Sequence, residues 1–145
     1  MTDADEKSLA GLHILLCEDH PMNQQIAVKL LRDKGMLVEV AENGQRGVEH
    51  FSRSTDGFFD AVLMDIRMPV MDGYEACRTI RALNRSDAGS VPIIAMTADV
   101  FKEDVDRCRA AGMDGHVPKP VEPEGLYQAI LWAVKTGHVP AGSDD

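Results

Sequence analysis

No apolar run in the chain approaches the length of a membrane span, and the opening stretch MTDADEKSLAG is acidic and polar, unlike a secretory signal. Membrane insertion is therefore not expected. Positive charge is scarce as well: 15 Lys and Arg stand against 24 Asp and Glu, a formal net charge of −9, and nothing forms a basic stripe. That balance argues against a nucleic-acid backbone as partner. Cysteine is sparse. Cys17, Cys77 and Cys108 show no CxxC pairing, read as small buried hydrophobes, and suit a reducing cytosol, so a cytoplasmic protein is expected. A glycine-rich phosphate loop is missing too, since the spacing of Gly44 and Gly47 falls far short of a nucleotide-binding fingerprint. Internal repeats and low-complexity segments do not stand out.

What is present fits one ordinary soluble domain: 145 residues, 44% hydrophobic and 27% charged. Residues 1–10 and 137–145 are polar or Gly/Pro-rich and are expected to be flexible tails around a domain at 11–136. Within it, strand-like runs alternate with helical patterns. LHILL precedes PMNQQIAVKLLRDKG, with Pro21 near a helix start and Gly35 past its end. MLVEVA leads into NGQRGVEHF, where Asn43 is a plausible N-cap, and FDAVLM leads into DGYEACRTIRAL, where Asp72 and Glu75 have capping-box spacing. VPIIAM precedes DVFKEDVDRCRAAG, with Phe101, Val105 and Cys108 on one face and Gly112 as the stop. GHV precedes VEPEGLYQAILWAVK, where Leu126, Ile130 and Val134 repeat at i, i+4 spacing. Five strand–helix units with short connections imply an α/β protein, a parallel sheet with helices on both faces. Near-continuous apolar strands agree with burial on both sides.

In such a sheet the functional crevice lies outside the carboxyl ends of the strands. Glu18 and Asp19 follow the first strand, Asp65 the third, Thr97 the fourth and Lys119 the fifth. Each has a plain reading on its own: an N-cap pair, a turn initiator, a helix cap, a lysine in a stiff loop. Together they fall on four strand ends of one sheet. Three adjacent carboxylates repel one another unless a positive charge sits among them. A hard cation such as Mg²⁺ takes oxygen ligands and answers that need, with Glu18, Asp19 and Asp65 as its ligands. A carboxylate can attack phosphorus, and phosphoryl transfer depends on positioning and on neutralising the equatorial oxygens. Metal, Lys119 and Thr97 suit those oxygens, and Asp65, at the tip of an apolar strand in VLMDIRMPVMDGYE, suits the nucleophile.

The segments LLCEDHPMNQ, VLMDIRMPVMDGYE, PIIAMTA and GHVPKP, in this order and spacing over residues 12 to 135, resemble a response-regulator receiver domain. The resemblance implies a (βα)5 doubly wound, flavodoxin-like fold with a five-stranded parallel sheet in the order 2-1-3-4-5. It implies Mg²⁺-dependent phosphorylation of Asp65 by a histidine kinase or histidine-phosphotransfer protein, and a signalling switch rather than a turnover enzyme. Glu18 and Asp19 match the metal-binding pair, and the main-chain carbonyl of Arg67 matches the remaining protein ligand. Thr97 matches the switch hydroxyl and Lys119 the phosphate-binding lysine, with a cis bond expected between Lys119 and Pro120. The wording of the motifs is most similar to receivers of hybrid histidine kinases. The chain is expected to be a stand-alone receiver or an excised piece, a monomer or weak dimer, with no kinase or DNA-binding domain of its own. Met22, Gln25, Ile26 and Lys29 on the first helix form the expected donor-docking face.

Two rivals compete. An aspartate-nucleophile phosphatase of the haloacid-dehalogenase type commonly wants a second aspartate two residues after the nucleophile, where this chain has Arg67, which cannot release a proton near neutral pH. A docking module that is never phosphorylated has no need of Asp65, the acidic pair or Lys119. Two departures from the family pattern stand out. The fifth-strand position of the rotating switch aromatic, where the family usually carries Tyr or Phe, holds His116, a polar ring. Arg67 and Asp99, two residues beyond Asp65 and Thr97, are placed to screen an acyl phosphate from water. His116→Phe is expected to leave phosphorylation intact and change affinity for the phosphorylation-dependent partner; unchanged binding removes the switching role. Arg67→Ala is expected to dephosphorylate faster, and an unaltered decay rate rules the screen out.

Overall fold

The computed structural model describes residues 1–98 and 102–136, with the backbone alone at residues 102 and 103. Five strands, β1 His13–Cys17, β2 Leu37–Ala41, β3 Ala61–Asp65, β4 Ile93–Thr97 and β5 Gly115–Pro118, form one sheet in the order β2-β1-β3-β4-β5. Every neighbouring pair is parallel. The helices are α1 Asp3–Leu9, α2 Pro21–Asp33, α3 Gly44–Arg53, α4 Gly73–Arg81, α5 Lys102–Ala111 and α6 Pro123–Thr136. This is the doubly wound (βα)5 arrangement expected from the alternation of runs, with one helix added in front.

The strands divide the core because successive side chains point to opposite faces. Leu15, Cys17, Val62, Met64, Ile93 and Ala95 meet Phe51, Ile80 and Cys108 beneath α3, α4 and α5. Ile14, Leu16, Leu63, Ile94 and Met96 meet Leu9, Leu31 and Ile130 beneath α1, α2 and α6. β3 and β4 are buried along their whole length. β2 departs from that expectation: it is an edge strand covered only in part, and Leu37 and Val40 remain exposed.

Helix ends follow the sequence signals. Pro21 occupies the first turn of α2. The Asn43 side chain accepts from the Arg46 N–H at 2.8 Å and that of Asp72 from the Glu75 N–H at 2.9 Å, so each satisfies an orphan donor of its helix. Gly35 and Gly112, with φ of +83° and +103°, stop α2 and α5 in the left-handed conformation that glycine adopts without strain. Phe101 lies outside the described residues, while Cys108 on the same expected face is buried.

The N-terminal segment differs from the expected tail. Thr2 and Asp5 close a reciprocal capping box that starts α1. Leu9 at its end is fully buried, and Asp5 pairs with Lys135 of α6 at 2.9 Å. The polar face of this short helix conceals one apolar anchor, and tertiary packing holds what propensity alone leaves marginal. Residues 137–145, the other expected tail, lie outside the described residues.

Topology places the site. From β1 the chain crosses first to β2 on one side and then to β3 on the other, so the crossovers part above the carboxyl ends of β1 and β3. α4 starts hard against that point. The Gly73 N–H donates to the Ile66 carbonyl at 2.9 Å, and a Cβ at Gly73 would lie 2.3 Å from the carbonyl oxygen of Asp65. The Lys119–Pro120 bond is cis.

Candidate functional site

Glu18 and Asp19 extend β1, Asp65 ends β3, Thr97 ends β4 and Lys119 follows β5. The sheet brings all five to the rim of one cleft of about 250 Å³, as their positions at strand ends led one to expect. The Lys119 Nζ donates to Glu18 Oε1 and to Asp65 Oδ2, each at 3.2 Å. Glu18 and Asp65 are almost wholly buried, 2% and 3% exposed, while Asp19 is exposed at the mouth. One carboxylate oxygen from each of Glu18, Asp19 and Asp65 lies within 4.8 Å of the others.

Neighbours fix these groups. The His20 N–H donates to Glu18 Oε2 at 3.0 Å, and Gln24 Nε2 donates to the Glu18 carbonyl at 2.7 Å, so the first turn of α2 orients the acidic pair. The Arg67 N–H donates to the Asp65 carboxylate. The Lys119 N–H donates to the Thr97 carbonyl at 2.9 Å, which ties β5 to β4 at the cleft. His20 and Asn23 also line it. They escaped the reading of strand ends because their signal is helical: they fill the first turn after the acidic pair.

The electrostatics are those of a crowded anionic site. Burial and then the charge of Glu18 push the Asp65 carboxyl up to about 6, against the opposing pull of Lys119 and the Arg67 N–H. Burial works against the Lys119 charge, but the carboxylates of Asp65 and Glu18 outweigh it and hold its ammonium above the ordinary range. Asp65 is thus ionised at a cost that a divalent cation would relieve. Three convergent carboxylates with oxygen donors only, two of them buried, fit a hard cation such as Mg²⁺.

Of the other expected residues, Arg67 is exposed and lines the cleft, as well as a smaller one beyond Thr97. Asp99 lies outside the described residues. His116 faces solvent on β5, in register with Ala95 and beside Val105 and Cys108 of α5.

The family model of the response regulator receiver domain matches residues 14–131. The chain belongs to this family. As a receiver it is homologous to those of hybrid histidine kinases: it is 36% identical over 119 residues to the hybrid signal transduction histidine kinase I of Dictyostelium discoideum. That match covers 81% of this chain and only 7% of the relative. The receiver domain of a sensor histidine kinase from Pseudomonas aeruginosa PAO1 shares 38% identity and a TM-score of 0.78, over 87% of this chain and 99% of that one. In that structure a magnesium ion is coordinated in the active-site cleft. The receiver domain of Saccharomyces cerevisiae Ssk1, solved with the histidine phosphotransfer protein Ypd1, has a TM-score of 0.73 and 26% identity, over 83% of this chain and 87% of that one. The receiver is therefore a domain of two-component and phosphorelay signalling. Among its described residues no helix is long and apolar enough to cross a membrane.

The raised value at Asp65 has a measurable sign. A carboxyl near 6 in the folded state and 3.8 in the unfolded one favours folding fully below pH 4, and that contribution is lost as pH rises through 6. In EDTA, Asp65→Asn is therefore expected to be more stable than the parent at pH 7.5, by about 1–3 kcal/mol. The gap should shrink as pH falls toward 4; urea titrations at both ends measure it, and a variant less stable at pH 7.5 contradicts the assignment.

Proposed function

We propose that this receiver accepts a phosphoryl group on Asp65 from a phosphohistidine of a histidine kinase or histidine-phosphotransfer protein, in a Mg²⁺-dependent reaction. The observation that carries the reading is the convergence of Asp65 with Glu18, Asp19 and Lys119 in one cleft. A carboxylate oxygen of Asp65 attacks phosphorus, the phosphorus–nitrogen bond of the donor breaks, and the imidazole leaves with the electron pair. Lys119 offers its ammonium, and Thr97 its hydroxyl, to the oxygens of the transferring group. Glu18, Asp19, Asp65 and the main-chain carbonyl of Arg67 would hold the cation, which supplies neutralisation of charge on those oxygens. The magnesium seen in the Pseudomonas receiver supports this assignment.

The domain acts as a stoichiometric acceptor. Arg67 stands where a phosphatase of this chemistry would place its general acid, and Arg67 has no proton to give. Phosphorylation is read through Thr97 and the neighbouring β5 surface, where His116 stands exposed, by contacts better made in one state than in the other. The donor docks on α2, whose first turns follow the acidic pair and present Met22 and Ile26 at 64% and 46% exposure. The Ssk1–Ypd1 complex supports a protein donor of this kind. Three buried free cysteines agree with a cytoplasmic setting.

Incubation with acetyl phosphate and Mg²⁺ followed by intact-mass measurement tests the chemistry. The parent should gain one phosphoryl group; EDTA and Asp65→Ala should each abolish the gain. Continuous turnover of a small phosphate ester would instead favour the phosphatase.

A further inference from the structure

A second cavity, of about 360 Å³, lies apart from the Asp65 cleft, and none of its lining residues is among those of the cleft. It opens where β2 and the end of α3 meet the loop that leads into β3. Its volume falls in the range of small-molecule sites, about 300–1,000 Å³. Phe58 of the loop supplies an aromatic wall, Glu39 of β2 a carboxylate and Arg53 of α3 a guanidinium. The phosphoryl chemistry at Asp65 uses none of them.

The walls are fixed before anything binds. Phe58 is half-buried, tilted against the His13 ring at 4.5 Å and edge-on to Phe59 at 4.9 Å. Its N–H donates to the Thr55 carbonyl at 3.0 Å. Behind the loop, Arg85 donates to the carbonyls of Ser54 and Thr55, each at 2.8 Å, and Asp87 accepts from the Gly57 N–H at 2.8 Å. On the other side, His50 Nδ1 stands 2.9 Å from Glu39 Oε1 and orients that carboxylate. The contact engages one oxygen of Glu39, whose side chain stays 47% exposed. Arg53 is exposed and has no ion-pair partner among the described residues.

Charge and shape select the ligand class. A simple cation suits Glu39 and leaves Arg53 unanswered, while a simple acid suits Arg53 and meets Glu39 as a like charge. A zwitterion with an aromatic side chain answers all three walls: ammonium to Glu39, carboxylate to Arg53 and ring to Phe58. We infer that this cavity is a binding site for a free aromatic amino acid. Neither Asp65 nor its cleft takes part, so the assignment stands apart from the phosphoacceptor reading. Both charged walls are partly solvated, and the expected affinity is modest, a Kd of about 1 mM.

Titration of the isotopically labelled protein with L-phenylalanine, followed through amide NMR shifts, tests the site. Saturable shifts are expected at the amides of Glu39, His50, Arg53, Thr55 and Phe58, with half-saturation at about 1 mM. Phenylacetate lacks the ammonium, phenethylamine the carboxylate and glycine the ring, and each should bind about threefold more weakly or worse. Arg53→Gln and Glu39→Gln, both at exposed positions, should each weaken phenylalanine binding by about threefold or more. A response unsaturated at about 20 mM, or shifts confined to the Asp65 cleft, would overturn the inference. So would a loss smaller than about threefold for either variant or for any of the three truncated ligands.

Discussion

One ammonium group holds the working end of this molecule together. Lys119 reaches Glu18 across 101 residues of chain and Asp65 across 54, at 3.2 Å in each case. Two buried carboxylates from adjacent strands repel, and removing them from water adds a penalty that mutual hydrogen bonds do not offset. The ammonium between them makes the arrangement tolerable and leaves it unsaturated. Burial and Glu18 still win at Asp65, whose carboxyl stays near 6. An anionic, incompletely neutralised site suits the cation and the phosphoryl group proposed for it.

The opposite pole shows what complete neutralisation looks like. Arg81 donates to the Gly112 and Ala88 carbonyls and to Asp114, which in turn accepts from the Ile93 N–H. Arg85 lies over the ring of Phe51 and donates to the carbonyls of Phe51, Ser54 and Thr55 and to Asp87. Both guanidinium groups use planar, multi-donor geometry to tie loops to helices. The amino ends of the strands are thereby clamped, and the carboxyl ends carry the charge imbalance.

Buried charge and exposed apolar surface occupy different parts of this end of the sheet. The carboxylates and Lys119 sit inside the cleft, while the exposed apolar side chains Met22, Ile26 and Val70 stand on the segments that leave β1 and β3. This separation follows from the fold, because β1 and β3 each deliver a carboxylate to the cleft and then lead outward into a turn or helix.

Much of this was legible without coordinates. Alternating apolar runs and turn signals determined the (βα)5 class, and the helix starts at Pro21, Asn43 and Asp72 are local chemistry that needs no tertiary context. The five site residues were legible because a parallel sheet delivers its strand ends to one edge. Local patterns could not show that Leu9 anchors a seventh-residue helix end in the core, since one apolar residue in a polar stretch carries no periodicity. Nor could they show that β2 would lie exposed at the edge, or that His20 and Gln24 would orient Glu18. The positive φ of Val70, 70°, was equally hidden, because the letters MPVMDG do not reveal which residue must turn that way. Sequence determined which groups arrive at the cleft, through periodicity and order. Only tertiary structure decided how far each is buried, which charges touch and which side chain is left outside, because those depend on the packing of segments distant in the chain.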